Sequence, residues 1–245
     1  MLAATSNEIN PLITGLIYCS VIAACNKVYA LERSREWTAA FADWCRPQPQ
    51  LGAFSGICLV HRAEILQVHG QWPEAVAEAQ LAYRKLAVSP EREAAAAACY
   101  QEAEIARLRG DLEVAEQRYR DASQWGWEPQ PGLALLRLAQ GRPEEAAAAM
   151  RRVVGTSGDP LLRTRLLPAF VEIAVAVGAL EEARAAADEL ARTAAQFATE
   201  ILGAMAAQAR GLVLLAEGDA WAAAPLLRQA FSVWQQAGAP YLAAR

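Results

Sequence analysis

Residues Gly110–Ala115 read GDLEVA, and the first and last letters of this segment recur along the chain at the same spacing. Further copies of Gly-x-x-x-x-Ala begin at Gly70, Gly141, Gly178 and Gly218. Each copy lies between two apolar stretches with helical periodicity, a pattern that predicts helix-turn-helix hairpins. Glycine suits the left-handed turn that ends a first helix, and alanine lets the second helix approach it closely. The sequence therefore predicts an array of helix pairs and not one closed core.

Two further positions support the repeat, since residues seven before and twelve after each glycine are small or apolar. They are Ala63, Ala103, Ala134, Val171 and Gly211 before the glycines, and Ala82, Ala122, Val153, Leu190 and Ala230 after them. A degenerate sixth copy runs from Tyr29 to Ser34, with tyrosine in the glycine place and serine in the alanine place. The whole pattern resembles the tetratricopeptide repeat, a pair of antiparallel helices. We predict an all-α, right-handed superhelical array of about six antiparallel helix pairs, a tetratricopeptide-like α-solenoid, forming one domain over residues 1–245.

Composition and charge argue against several function classes. The chain has 23 basic and 27 acidic residues, a net charge of -4, and therefore lacks the basic footprint of a nucleic-acid binder. Its five cysteines are odd in number and scattered over predicted helices, which favours a reducing compartment over a disulfide framework. The apolar run Pro11–Cys25 is shorter than the roughly 20 residues of a membrane span, and no basic leader precedes it. We expect a cytoplasmic protein without a membrane partner.

Proline and glycine mark where the helices begin and end. Pro90 is expected to open the fifth helix, and residues 1 to 10 to form a frayed leader. A tryptophan- and proline-rich connection, Gly126–Pro131, precedes an unusually short helix at about Gly132–Gln140. We expect the curvature of the array to change at that short helix.

Three segments carry a more specific resemblance. They are Glu36–Ala40 with Trp44-Cys45, Cys58–Leu66 with His69-Gly70, and Gln130–Gly141. They resemble the helical-repeat region of actinobacterial LuxR-type transcriptional regulators, and the resemblance extends from about Pro11 to Arg245. It implies a sensory and oligomerisation module, with DNA bound only by a C-terminal helix-turn-helix domain that these residues do not contain. A last helix that begins at Tyr241 and is cut off at Arg245 leads us to expect a fragment of a longer regulator.

The repeat register selects candidate groove residues on the first helices. Glu64, Glu104 and Glu172 all stand six residues before a turn glycine, a place that faces the concave groove in a tetratricopeptide-like array. Equivalent groove positions hold Leu16, Cys19, Asn26, Ile57, Val60, Gln67, Tyr100, Arg107, Arg165, Met205, Gln208 and Leu212. We interpret this groove as the site of a partner helix or peptide, or of a small cationic or amphipathic effector. The competing and more ordinary interpretation pairs each glutamate with a nearby arginine, as Glu104 with Arg107.

The seven tryptophans fall into two groups. Five lie on apolar helical faces, where core packing is the expected role: Trp37, Trp44, Trp72, Trp221 and Trp234. Trp125 and Trp127 flank a loop, and they are candidates for a pocket wall or a homodimer contact. The alternative for this second pair is a structural plug.

Catalysis and metal binding are not expected. Cys58, His61 and Glu64 follow each other at steps of three, which drift around a helix, and His69 is the only other histidine. No phosphate loop or nucleophile motif is visible, so we expect neither an enzyme nor a cofactor. The alternative to a regulator module is a stand-alone scaffold that binds a partner peptide or helix. A reading frame that continues past Arg245 into a helix-turn-helix would favour the regulator.

Overall fold

The structure is a computed structural model that describes residues 10–47, 52–87 and 92–245, with the backbone alone for residues 52–55. Within these ranges the chain forms thirteen helices and no strand. They are α1 (Pro11–Lys27), α2 (Leu31–Cys45), α3 (Gly52–Val68), α4 (Trp72–Leu86), α5 (Arg92–Arg109), α6 (Leu112–Gln124), α7 (Gly132–Ala139), α8 (Pro143–Thr156), α9 (Pro160–Ala176), α10 (Leu180–Phe197), α11 (Glu200–Ala216), α12 (Ala220–Gln236) and α13 (Pro240–Ala244). The predicted all-α class and the six helix pairs are confirmed. The predictions for Pro90 and for the leader up to residue 9 lie outside the described residues.

All five repeat glycines adopt the left-handed turn that the sequence predicts. Their φ angles are 74° at Gly70, 83° at Gly110, 73° at Gly141, 73° at Gly178 and 89° at Gly218. In the turn after α5, the N–H of Gly110 donates to the Arg107 carbonyl at 3.1 Å, and the next N–H donates to the Ala106 carbonyl at 2.9 Å. These two bonds satisfy carbonyls that the helix end leaves open. Each glycine thus closes a first helix.

The degenerate sixth copy is also confirmed. Tyr29 takes the glycine place with a φ of 57°, and its N–H donates to the Asn26 carbonyl at 3.3 Å. Ser34 takes the alanine place and is fully buried, like the alanines of the other five copies. The hairpin of α1 and α2 therefore follows the same register as the rest, although neither marker residue is the usual one.

Small residues let the two helices of each pair pack closely. The residues seven before the turn glycines are all buried, and Gly211 of α11 shows how tight the contact is. A Cβ added to Gly211 would lie 2.6 Å from Cδ2 of Leu227 on α12. An alanine at this position would displace the Leu227 side chain, so the glycine allows α11 and α12 to cross closely.

The chain divides into two compact units, Met1–Glu128 and Pro129–Arg245. In the first unit α3 packs on α4, α4 on α5 and α5 on α6, while α1 packs mainly on α2. Tyr18 of α1 and Phe41 of α2 stack with ring centroids 5.0 Å apart and form part of one core cluster. The buried aromatic pair holds the first hairpin together.

The second unit contains α7 to α13. As predicted, its first helix is short, with eight residues. Helices α8 to α12 each pack on the next in chain order, and α13 packs on α12. The change in curvature expected at α7 stays a prediction.

Helix α10 ends at Phe197, since Ala198 has a left-handed φ of 52°, and Thr199 caps α11 by accepting from the Leu202 N–H. One prediction for the second unit is wrong. The sequence predicts that Trp221 packs in the core, yet Trp221 is 92% exposed. Trp221 stands in the first turn of α12, where its indole lies in solvent. Across the described ranges, no helix combines the length and the apolar character that a membrane crossing requires.

Candidate functional site

Polar side chains link the first helices of the first unit. The amide nitrogen Nδ2 of Asn26 on α1 donates to Oε2 of Glu64 on α3 at 3.0 Å and lies 3.1 Å from Nδ1 of His61. On the next pair of first helices, the amide nitrogen of Gln101 on α5 donates to the amide oxygen of Gln67 on α3. We call these five residues the polar ladder. It joins α1 to α3 and α3 to α5.

The ladder follows the repeat register. Asn26 and Gln67 each stand three residues before the turn residue of their hairpin, and His61 and Gln101 each stand nine residues before theirs. The side chain three residues before one turn therefore contacts the side chain nine residues before the next turn, on the first helix of the following pair. The matching pairs in the second unit are apolar: Leu138 with Ala169, and Val175 with Ala209. The polar ladder is a property of the first unit.

Glu104 belongs to a more buried cluster beside the ladder. Its carboxylate accepts from a guanidinium nitrogen of Arg107 at 2.8 Å and from the hydroxyl of Tyr119 on α6. Tyr119 is fully buried, and this burial together with the Glu104 charge raises its pKa. The phenol therefore stays protonated and donates. The predicted pairing of Glu104 with Arg107 is present, and the carboxylate also ties α5 to α6.

The three glutamates predicted as a stripe have different partners. Glu64 accepts from Asn26, Glu104 is shared by Arg107 and Tyr119, and Glu172 in the second unit pairs with Arg245. Partnered carboxylates present less negative charge to a ligand than free ones. The three glutamates therefore do not form the row of equivalent acceptors that the predicted stripe would require.

Aromatic rings border the ladder at α5. The ring of Tyr100 lies 5.6 Å from that of Tyr119 and 6.1 Å from that of Trp127, measured between centroids. Trp127 is partly buried at this edge, and its role as a pocket wall or homodimer contact stays a prediction. Trp125 instead packs against the core cluster that contains Val60 and Leu86. These surroundings fit the alternative interpretation of Trp125 as a structural plug.

The remaining groove candidates of the first unit divide by burial. Val60 is only 5% exposed and belongs to the core between α3, α4 and α5, so it is not a groove residue. The sequence misplaces it because the groove and core faces of a helix lie within one turn of each other. Ile57 and Cys19 are partly buried, and Leu16 is 57% exposed.

The groove candidates of the second unit differ in their surroundings. Gln208 accepts a hydrogen bond from the indole nitrogen of Trp234 at 3.0 Å, and it lines a cleft of about 320 Å³ with Leu242 and Arg245. Met205 and Leu212 are partly buried, and Arg165 is exposed. Gln208 is thus already engaged in holding α11 to α12.

A second cleft of about 430 Å³ lies between the α8–α9 connection and α10. Arg163 crosses it, donating to Glu189 at 2.7 Å and to the Ser157 carbonyl at 3.0 Å. Hydrogen bonding to Arg163 lowers the pKa of Glu189. Sequence reasoning missed this cluster because its members are 26 and 6 residues apart in the chain and share no repeat position.

Cys58, His61 and Glu64 do not form a ligand set. The thiol of Cys58 points to the carbonyl of Thr38 at 3.8 Å, and burial raises its pKa to about 12. Metal ions bind the thiolate, which is scarce at such a pKa. In the described part of the chain, no three His, Cys, Asp or Glu side chains come together as metal ligands would.

Comparison with known proteins identifies no family for this chain. No model of a protein family matches the chain, and no curated protein matches it. A solved structure described as that of YrrB, a TPR protein with an unusual peptide-binding site, is 18% identical. The match covers 79% of this chain and 92% of that one, with a TM-score of 0.41. This chain is a tetratricopeptide-like helical array because its repeat glycines form left-handed turns and its helix pairs pack through buried small residues.

Proposed function

We propose that this chain is a recognition module, and that the first-helix face of its first unit binds an extended peptide of a partner protein. The first-helix face is the surface of α1, α3 and α5 that carries the polar ladder. The observation behind the proposal is the ladder itself. Its amides recur at fixed repeat positions, with Asn26 and Gln67 partly buried and Gln101 buried.

Amide side chains suit the recognition of a peptide backbone. Each carries both a donor and an acceptor, so the partly buried Gln67 can offer groups that match the N–H and C=O of an extended chain, while the buried Gln101 holds it in place. The ladder also fixes these side chains in advance, which lowers the ordering cost of binding. Because these amide groups recur along the face, they fit a ligand whose hydrogen-bonding groups also recur, as those of a peptide backbone do.

The edge of the face at α5 offers apolar contact. Tyr100 and Trp127 lie close together there, and aromatic rings contribute much of the binding energy at peptide interfaces. Because Arg107 accompanies the Glu104 carboxylate, charge at this end is balanced. We expect ligands with an apolar side chain next to the Tyr100 end, and no strong requirement for net charge.

The sequence resemblance to LuxR-type regulators supports a sensory role for the module. We propose that it senses a protein or small-molecule effector for a DNA-binding domain elsewhere in such a regulator. Binding would favour one arrangement of the helix pairs over another, and that shift would be transmitted along the array. Solution scattering tests this step, since a verified ligand should change the scattering profile. Superimposable profiles with and without that ligand would contradict it.

Display selection tests the binding proposal directly. A random peptide library is selected on the folded chain, and the affinity of the recovered peptides is measured by titration calorimetry. Gln67→Ala and Gln101→Ala should each weaken binding about fivefold or more, the loss of roughly one hydrogen bond. The matched control is Gln117→Ala on α6, where the exposed glutamine donates to Asp121 of the same helix. Equal affinity for all three variants, or no selected binder, would contradict the proposal.

A further inference from the structure

Helix α1 exposes an apolar stripe along its whole length. Apart from Pro11, the exposed residues are Leu12, Ile13, Leu16, Ile17, Ser20, Ala23, Ala24 and Lys27, and no charged residue occurs in α1 before the last of them. At about 100° per residue they span roughly 140° of the helix surface. The buried residues Thr14, Gly15, Tyr18 and Ile22 lie on the opposite side. A helix face turned to water is normally polar, so this face is unusual.

The stripe changes in side-chain size from one end to the other. The four large residues, 12, 13, 16 and 17, are between 38% and 57% exposed and fill the first half. The second half holds Ser20, Ala23 and Ala24, followed by Lys27. Positions 13, 20 and 27 are seven residues apart, as are positions 16 and 23, which is the spacing of residues along a seam between two helices.

We propose that α1 pairs in antiparallel fashion with α1 of a second copy of this chain, forming a two-fold symmetric dimer. A two-fold axis near Ser20 places Leu16 against Ala23 and Ala24 of the other copy, and the reverse. Large side chains then pack on small ones at both ends of the interface. The aliphatic stem of Lys27 lies along Ile13 while its ammonium group reaches water.

The area of this stripe determines how tightly we expect the dimer to form. Two helices of 17 residues are about 26 Å long, and their contact buries on the order of 1,000 Å² in total, the low end for specific interfaces. We therefore expect a dimer that dissociates in the micromolar range. A lipid surface is a poorer occupant, since the stripe offers one cation where anionic membranes attract several. This inference does not rest on peptide binding, and its test is carried out without peptide.

Sedimentation equilibrium of the full chain, from about 1 to 200 µM, tests the dimer. The chain should pass from monomer to dimer over this range. Leu16→Glu should weaken association at least tenfold, because the interface would bury a carboxylate. The matched control is Val114→Glu, since Val114 is 55% exposed on α6 and lies outside the stripe. Circular dichroism melts of both variants confirm that each one folds.

A mixing experiment tests the antiparallel arrangement. Ala24→Lys should also weaken self-association, whereas an equimolar mixture of the Leu16→Glu and Ala24→Lys chains should associate more tightly than either chain alone. Only antiparallel pairing brings positions 16 and 24 together. A chain that is monomeric throughout, a mixture that gains nothing, or equal weakening by Val114→Glu would overturn the proposal. So would a monomer that binds phosphatidylcholine–phosphatidylserine vesicles through Leu16.

Discussion

Tyr119 and Glu104 join the two helices of one hairpin, because the fully buried phenol of α6 donates its hydrogen to the carboxylate of α5. The same carboxylate accepts from Arg107 at 2.8 Å. A glutamate that the repeat register assigns to a ligand groove is therefore also part of the structure that positions α5. The first-helix face is built on groups whose charges are already compensated.

Tyr119→Phe should lower the free energy of unfolding by about 1 to 3 kcal/mol, because it removes a buried hydrogen bond to a charged acceptor. Urea denaturation of the purified chain measures this loss. A double-mutant cycle with Glu104→Gln separates the hydrogen bond from the change in packing. A coupling energy near zero would show that the two side chains are neighbours without being partners.

Gly110→Ala should cost about 1 to 2 kcal/mol, because its φ of 83° is left-handed and a Cβ there is strained. No atom lies within 4 Å of the added Cβ, so the loss reports the backbone alone. The matched control is Gly155→Ala, in α8, where the added Cβ again has open space and φ is not left-handed. That change should instead stabilise by up to about 1 kcal/mol. Equal effects of the two substitutions on the urea midpoint would contradict the turn assignment.

Ala198→Gly should stabilise the chain by about 0.5 to 1 kcal/mol, since Ala198 has a left-handed φ of 52° between α10 and α11. Ala198→Val should destabilise it, because a β-branched residue is strained further in that conformation. The order of melting temperatures should be glycine, then alanine, then valine. If glycine melts below alanine, the break between α10 and α11 is not where the structure places it.

Glu189→Gln should produce a stability loss that depends on pH. Hydrogen bonding to Arg163 holds the pKa of Glu189 below its ordinary value of 4.5. A lowered folded pKa means that the ionised pair stabilises the fold above the unfolded pKa, and that this contribution disappears as the pH falls through the folded value. We expect a loss of about 1 kcal/mol at neutral pH, for a partly exposed pair, and this loss should shrink as the pH falls below the ordinary carboxyl pKa of 4.5.

Urea titrations at several pH values measure this difference, with Glu113→Gln on α6 as the exposed control. The control should show no comparable acid dependence. A difference between the wild type and Glu189→Gln that stays constant or grows toward low pH would contradict the ion pair.

The hairpin register could be predicted because it depends on local chemistry. A left-handed turn needs a residue without a Cβ, and a close helix crossing needs a small one, so Gly110 and Ala115 reveal their roles from spacing alone. Even Tyr29 was identified by position rather than by type.

The site could be predicted only in part. Gln67 and Asn26 were selected by repeat position, and Gln101 could have been found in the same way, since it matches His61. The partners of the charged residues could not, because Glu172 meets Arg245, 73 residues away, and no periodicity connects the two. Val60 and Trp221 show that helical spacing alone does not say which face of a helix is covered.

The central claim is that the first-helix face of the first unit binds a peptide. Hydrogen–deuterium exchange with mass spectrometry, with and without a display-selected peptide, tests it most directly. The account predicts slower exchange in segments 52–68 and 92–109, which form α3 and α5, and unchanged exchange in the outer helices α4 and α6. Protection confined to α4 and α6, or to residues 129–245, would contradict it.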